Sequence, residues 1–288
     1  MTSPFQRTPS GSNEREEVTV CGLGFMGTLV RLPAFGVVAA LLLSTTARAE
    51  RPFPFTWTSA TQPMGTSAPQ LWLTLRSGRT TPFDLLEARG WVALAAARNV
   101  DVHVGLEADV VLRRREQKEL DGRVSAQVRY RLLEPNDILG LAILARVGVG
   151  VASTQLEARL VLDRVVGDVL LAANSAFERT IFWDRRDAVE TRLDHSFAVR
   201  LTVTSDVTAG LELRARQAFQ SADYQGTAFY VGPTLSVSTQ AFWLSVGAMA
   251  QVASHKAAGD RGDGQPIIFR DDERFVIRVV VAAPTKAK

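Results

Sequence analysis

Cysteine is scarce in this 288-residue chain, and long hydrophobic runs are missing from it. A single Cys excludes a small fold that is held together by disulfide bonds. No run of about 18 or more apolar residues occurs, which excludes a membrane protein built from spanning helices. Because 46% of the residues are hydrophobic and 22% are charged, the chain is not a disordered tail either. Two classes remain: a soluble globular domain, and a membrane protein whose apolar residues alternate with polar ones.

The N-terminal part of the chain has the pattern of an export signal. A short apolar run at residues 32–43 follows Arg31, and small residues follow the run. This order is typical of a secretory signal peptide, and the apolar core is too short to span a membrane. We predict a signal peptide at residues 26–49 that starts at Met26, preceded by a dispensable or mis-assigned leader at residues 1–25. The residues at the predicted cleavage site, where the chain is cut after the second alanine, are Ala47, Ala49 and Glu50.

The charge and the cysteine content of the predicted mature chain exclude further classes. Cys21 precedes the signal core, so the mature chain has no thiolate for catalysis or for metal binding. The formal net charge is only +3, and the sequence has no clustered basic face, so nucleic acid is not expected as a partner. No motif indicates a cofactor, and no metal-ligand spacing links the three histidines, His103, His195 and His255.

The dominant pattern from residue 70 onward is an alternation of apolar and polar residues. In residues 100–113 every even-numbered position is Val, Leu or Ala, whereas most odd-numbered positions are polar or charged. Residues 122–133 and 154–164 show the same period of two. A helix turns by about 100° per residue and would spread both sets around its surface, so the pattern predicts strands with one apolar and one polar face.

Twelve segments of this kind are present, and most are about ten to fifteen residues long. Soluble strands average about five or six residues, whereas a tilted membrane-crossing strand needs about nine to eleven. We therefore predict an all-β fold, a closed antiparallel transmembrane β-barrel of twelve strands at residues 70–283. A periplasmic segment at residues 50–69 precedes it, and a polar tail at residues 284–288 follows. The predicted strands cover residues 70–78, 84–97, 100–113, 122–133, 137–151, 154–164, 168–182, 189–203, 206–219, 227–238, 241–252 and 272–283.

The links between the predicted strands alternate in length, as expected for short periplasmic turns and longer outer loops. One predicted outer link, at residues 152–153, is as short as a turn. The predicted turns lie near residues 98–99, 134–137, 165–168, 204–206 and 238–240, and the predicted longer links cover residues 77–83, 113–121, 183–188, 220–226 and 253–271.

The polar faces predict the residues that line the barrel lumen. Because an isolated buried charge is costly, we expect eight carboxylates and nine arginines to form hydrogen-bonded ion pairs there. In the alternative fold, a soluble β-sandwich, the same side chains would be solvated at the surface. Trp72, Trp91 and Trp243 also have the inward parity and would fill the lumen. The charged candidates are Glu87, Arg89, Asp101, Glu107, Asp109, Arg129, Arg131, Arg146, Glu157, Arg159, Asp163, Glu178, Arg200, Glu212, Arg214, Arg216 and Arg278.

Support for catalysis is thin. Asp194 and His195 resemble the Asp–His pair of outer-membrane proteases, in which the carboxylate orients an imidazole that activates water. A serine-hydrolase hypothesis for Ser196 fails because neighbouring strand residues point to opposite faces, so His195 does not reach its proton. No catalytic residue is therefore predicted.

Two charged segments have a possible binding role outside the barrel. Residues 259–264 (GDRGDG) have the composition of a calcium loop but lack its twelfth-position glutamate, which favours a plain loop tip. Residues 113–118 (RRREQK) are expected to contact the phosphates of surface lipopolysaccharide if they lie outside, or simply to be solvated.

Three segments carry a resemblance to a known family: residues 70–79 (QLWLTLRSGR), 156–173 (LEARLVLDRVVGDVLLAA) and 229–236 (FYVGPTLS). The chain resembles uncharacterised bacterial outer-membrane β-barrel proteins of the transporter or porin type over nearly all of residues 50–283. The resemblance implies an outer-membrane location, contact with lipid and with the barrel assembly machinery, and transport of small solutes. Two features differ from such barrels: the last apolar residues, 279–281, are valines instead of an aromatic residue, and Pro233 interrupts a predicted strand.

The function we expect is a passive channel or transport component for small solutes, with the lumen charges as its electrostatic barrier. A barrel of this size can be filled completely by side chains, so the fold does not by itself imply conduction. The first alternative is a non-conducting structural or surface protein of the outer membrane. The second is an outer-membrane hydrolase.

Overall fold

The computed structural model describes most of the chain after residue 52. The predicted leader, the signal peptide with its cleavage site, and the 259–264 segment lie outside the described residues, as does nearly all of the 113–118 segment. The described residues are 53–77, 83–113, 119–134, 138–183, 189–239, 241–256, 273–283 and 285–286.

Twelve long strands form one closed antiparallel barrel. Each strand pairs with the next along the chain, and β12 pairs with β1, which closes the sheet. The predicted fold class is therefore confirmed. The strands are β1 (Thr66–Ser77), β2 (Phe83–Ala97), β3 (Val100–Arg113), β4 (Glu119–Leu133), β5 (Gly140–Gly150), β6 (Ser153–Val166), β7 (Val169–Phe182), β8 (Val189–Thr202), β9 (Val207–Gln220), β10 (Asp223–Ser238), β11 (Trp243–Lys256) and β12 (Phe275–Ala282).

A short strand, β13 (Thr285–Lys286), pairs with the first two residues of β1. In the described part of the chain, no helix is long and apolar enough to span a membrane.

The barrel has its polar face inside and its apolar face outside. On β3, Asp101 and Glu107 are buried, whereas Val104 and Leu106 are 48% and 60% exposed. The same alternation continues around the barrel, where Leu, Val, Ile and Phe side chains form an exposed outer band. A soluble sandwich buries its apolar faces and exposes its polar ones. The observed arrangement is the reverse and is that of a membrane-crossing barrel.

The two ends of the barrel differ in their connections. We call the end where β1 begins and β12 ends the turn end, and the opposite end the loop end. One predicted loop-end link is wrong: residues 220–226 contain only a two-residue turn at Ser221 and Ala222, with φ values of 48° and 75°. Two positive φ values match the twist of the flanking strands, as in type I′ hairpins. Ser and Ala are not the residues that this turn prefers, so the sequence carries no signal for it.

Strand β10 is irregular around Pro233. Its pairing with β11 passes from Val231 opposite Ala250 directly to Thr234 opposite Gly247, with a bulge shortly before, between Phe229 and Tyr230. Pro233 therefore lies where the pairing with β11 is interrupted, and a residue without an N–H group is best tolerated at such an irregularity.

The first described residues of the predicted periplasmic segment, 53–59, lie inside the barrel. β1 begins at Thr66, slightly earlier than the predicted residue 70. Residues 53–59, which precede it, are all buried. We call residues 53–62 the inserted segment. Its burial differs from the expectation of a segment in the periplasm, and the physical reason is its set of hydrogen bonds to inward-facing side chains.

Candidate functional site: the barrel lumen

The predicted charged candidates lie on the inward faces of their strands. All have buried or half-buried side chains. Arg131 differs from the rest in position, because it lies at the turn end and donates hydrogen bonds to the carbonyl of Arg98, to Asn99 and to Glu134. The other candidates lie deeper in the lumen, where most of them join one network of ion pairs or bind the inserted segment.

Arg146 is the centre of the ion-pair network. Its Nη1 lies 2.8 Å from Oε1 of Glu107, and its Nε lies 3.0 Å from Oε2 of Glu157. Its Nη2 donates a 2.8 Å hydrogen bond to Gln155 and lies 3.7 Å from a carboxylate oxygen of Glu178. One guanidinium group from β5 therefore joins carboxylates of β3, β6 and β7 across the lumen.

The register of the strands produces these contacts. Arg146 lies directly opposite Glu157, and Glu107 lies opposite both Arg89 on β2 and Arg123 on β4. Residues at opposing positions on one face have Cβ atoms about 4.5–5.5 Å apart, so their charged ends meet. The Glu107 carboxylate accordingly lies 3.6 Å from Nε of Arg89 and 3.5 Å from Nη1 of Arg123.

The sequence analysis missed several lumen charges. Arg76 lies 3.0 Å from Glu87 and 3.0 Å from Glu273, and all three side chains are buried. Asp194 binds Arg214 through both carboxylate oxygens. The inward parity of Trp72 identifies Arg76 on β1, and the inward parity of Arg200 identifies Asp194 on β8. Glu273 precedes β12 and carries no such periodicity. Arg123 and Arg192 also belong to this missed group.

Several inward-facing polar residues hold the backbone of the inserted segment, among them Asn174, Asp163 and Asp101. Asn174 accepts a 2.7 Å hydrogen bond from the N–H of Trp57 and donates a 2.9 Å hydrogen bond to its carbonyl. Asp163 accepts hydrogen bonds of 2.8 and 2.6 Å from the N–H and hydroxyl of Ser59. Asp101 accepts a 2.9 Å hydrogen bond from the N–H of Gln62. Because a buried backbone needs partners, these side chains allow an irregular segment to lie inside the barrel.

Aromatic side chains of the inserted segment fill the lumen beside these contacts. Trp57 packs with the inward-facing Trp72, Trp91 and Trp243, and the ring centroids of Trp57 and Trp72 are 5.7 Å apart. Phe53 packs on small apolar residues of β7 and β8. Fully burying such a side chain contributes about 1.5–3 kcal/mol, so the segment is held by packing as well as by hydrogen bonds.

A polar cavity remains between the network and the inserted segment. Its volume is about 80 Å³, enough for a handful of water molecules. Its lining includes Phe55 and Trp57 of the segment together with nine arginines and five carboxylates. The described lumen therefore combines a charged wall, a small polar cavity and a segment that fills much of the remaining volume.

The residues considered for catalysis do not come together. Asp194 points inward and binds Arg214, whereas His195 is exposed on the outer face and Ser196 is buried on the inner face. The carboxylate therefore does not orient the imidazole. His103 is buried with its ring 6.0 Å from Trp57, and His255 is an exposed residue 6.5 Å from Tyr224. Among the described residues, no group of three or more His, Cys, Asp or Glu side chains could hold a metal ion.

The fold is similar to those of solved outer-membrane proteins. An outer membrane channel from Pseudomonas putida F1 matches with a TM-score of 0.54 and 11% identity, over 78% of this chain and 97% of that one. The NanC porin matches with a TM-score of 0.51 and 12% identity, over 75% and 98% of the two chains. The beta domain of the Bordetella autotransporter BrkA matches with a TM-score of 0.51 and 10% identity, over 77% and 99%.

The class of protein follows from this likeness and from the outer apolar band. The chain has the fold of the bacterial outer-membrane β-barrels. No protein-family model matches the chain, and no curated protein matches it in sequence.

Proposed function

We propose that the protein is a passive channel for small solutes in the bacterial outer membrane. The observation that carries the proposal is the polar lumen, in which guanidinium and carboxylate groups surround a cavity of about 80 Å³. Buried charges are costly, and well-packed apolar side chains of similar volume often stabilise a structural barrel equally well or better. A solute path uses charged groups as its electrostatic barrier. The channel and porin folds among the solved neighbours support the same function.

The inserted segment defines the size limit of the channel. It fills the turn-end part of the lumen with Phe53 and Trp57 and leaves a cavity of about 80 Å³. We therefore expect slow passage that is restricted to the smallest solutes while the segment is in place, and faster passage when it is absent.

Liposome swelling tests this function. Proteoliposomes that contain the full chain should swell slowly in glycerol and not measurably in a disaccharide. A variant that lacks residues 53–62 should swell at least several-fold faster in both. Gel migration of unboiled and boiled samples confirms that each barrel is folded. If the folded deletion variant passes neither solute, the first alternative, a non-conducting structural protein, replaces the channel.

Export and partners complete the proposal. We infer that residues 26–49 act as a cleaved signal peptide and that the barrel assembly machinery inserts the mature chain. Outer-membrane lipid surrounds the apolar band, and the basic run at residues 113–118 contacts lipopolysaccharide phosphates.

N-terminal sequencing of protein purified from the outer membrane tests the cleavage site. We expect the mature chain to begin at Glu50, because Ala47 and Ala49 form the small-x-small pattern that a signal peptidase cuts. A chain that retains Met26 at its N-terminus would contradict this prediction.

A further inference from the structure

Arg278 is a buried arginine that forms no hydrogen-bonded ion pair in the described part of the chain, where Glu87 and Glu212 act on it only from a greater distance. Its side chain points into the lumen from β12 and is 7% exposed. It donates a 2.8 Å hydrogen bond to the hydroxyl of Thr74 and a 3.2 Å hydrogen bond to the carbonyl of Pro54. A buried cation normally needs a carboxylate or an equivalent anion, since desolvation of an unpaired charge is costly.

The inserted segment supplies two partners for the guanidinium group of Arg278. The guanidinium carbon lies 4.6 Å from the ring centroid of Phe55, and the ring face attracts a cation. Together with the Pro54 carbonyl, this ring takes the place of an anion. Both partners belong to residues 53–62, so removal of the segment leaves the cation with Thr74 and a more distant ring, that of Trp72, at 5.7 Å.

A second arginine lies against the same ring. The guanidinium carbon of Arg214 on β9 is 5.9 Å from the Phe55 centroid. The two arginines are therefore no more than about 10.5 Å apart, with the ring near both. The buried carboxylate of Glu212 accepts a 3.4 Å hydrogen bond from the N–H of Phe55.

We propose that Arg278 is the anion-binding group of the lumen, that Arg214 adds positive charge beside it while its Nε and Nη2 hold Asp194, and that Phe55 occupies this site while the segment is inserted. The ligand class is a small carboxylate or phosphate anion. It takes the position of the ring and accepts charge-assisted hydrogen bonds from the Arg278 guanidinium, which are stronger than the contact of that group with an aromatic face. The proposal deepens the channel function, on which it rests, by naming anions as the solutes that the path favours.

Binding of inorganic phosphate to the detergent-folded barrel tests the site without any measurement of current. Phe55→Ala removes the ring and should bind phosphate at least tenfold more tightly than the full native chain in calorimetry. Phe53→Ala is the matched control, since it removes an equal ring that packs on Leu170, Ala172 and Ala198. Its phosphate affinity should equal that of the native chain.

The second arm removes the cation. Arg278→Gln in the Phe55→Ala background should abolish the tenfold gain, and Arg278→Lys, which keeps the charge but loses the planar fork, should retain part of it. If the glutamine variant shows no difference in gel migration between unboiled and boiled samples, it is not folded, and the phosphate affinity of the lysine variant alone tests the role of Arg278. Equal phosphate affinity of the Phe55→Ala and Phe53→Ala variants, or an undiminished gain without Arg278, would overturn the site.

Permeability separates this inference from the channel proposal. In a KCl gradient, the reversal potential of Phe55→Ala channels should shift toward the chloride potential, relative to Phe53→Ala. If phosphate binds tightly but no variant carries current, the channel proposal is wrong and the anion-binding site stands. If both variants carry current with identical selectivity and neither binds phosphate, the anion-binding site is wrong and the channel proposal stands.

Discussion

Arg146 is the residue on which most of the lumen network depends. It compensates Glu107, Glu157 and Glu178 at once, and its side chain is 4% exposed. Loss of one partner of a buried ion pair leaves the other charge without compensation, which costs about 3–5 kcal/mol. The parity of the strands identifies Arg146 as inward-facing. The number of its partners depends on cross-strand register, which the sequence does not specify.

The variant Arg146→Gln should therefore lower the free energy of unfolding by about 3–5 kcal/mol. Denaturant unfolding of the barrel in detergent measures the change. Arg179→Gln is the control, since Arg179 is exposed on the outer face of β7, and it should change the stability by less than about 0.5 kcal/mol. Equal effects of the two substitutions would show that the lumen charges are not structurally coupled.

The inserted segment is the element that sequence analysis located least well. Phe53, Phe55 and Trp57 stand at every second position, but this alternation is shorter than a strand of the barrel and contains Pro54, so it does not distinguish the segment from a solvated linker. Its backbone is held by side chains from distant strands, as between Ser59 and Asp163, and contacts of that kind leave no local signal. The twelve strands, by contrast, were predicted with small errors at their ends, because alternation is a local property.

Gly140 allows the segment to dock at the start of β5. A Cβ atom there would overlap Oδ1 of Asp163 and come within 2.5 Å of the hydroxyl of Ser59. Gly140→Ala should therefore displace the Ser59–Asp163 contact, loosen the segment, and raise the rate of liposome swelling several-fold.

Gly122→Ala is the matched control for this substitution. A Cβ atom at Gly122 has nothing within 4 Å, so its swelling rate should equal that of the native chain. A Gly140→Ala barrel that is folded and swells no faster than the Gly122→Ala barrel would mean that this contact does not hold the segment in place.

At the scale of the whole molecule, the strands of the barrel are predictable from the sequence, whereas the residues that fill its lumen are not. The long alternating strands, their even number and the inverted polarity follow from the sequence, because each depends on residue spacing along one strand. The filling of the lumen depends on contacts between residues far apart in sequence, such as Trp57 with Trp72, Trp91 and Trp243. The inward parity predicted three of these tryptophans to fill the lumen, but not the fourth, which belongs to the segment.

The central claim is that the lumen conducts and that residues 53–62 restrict it. Planar-bilayer recordings on the full chain and on the variant without these residues test it most directly. The account predicts small, rare openings for the full chain and a stable conductance at least several-fold larger for the deletion variant. A folded deletion variant that carries no current, or one whose conductance equals that of the full chain, would contradict it.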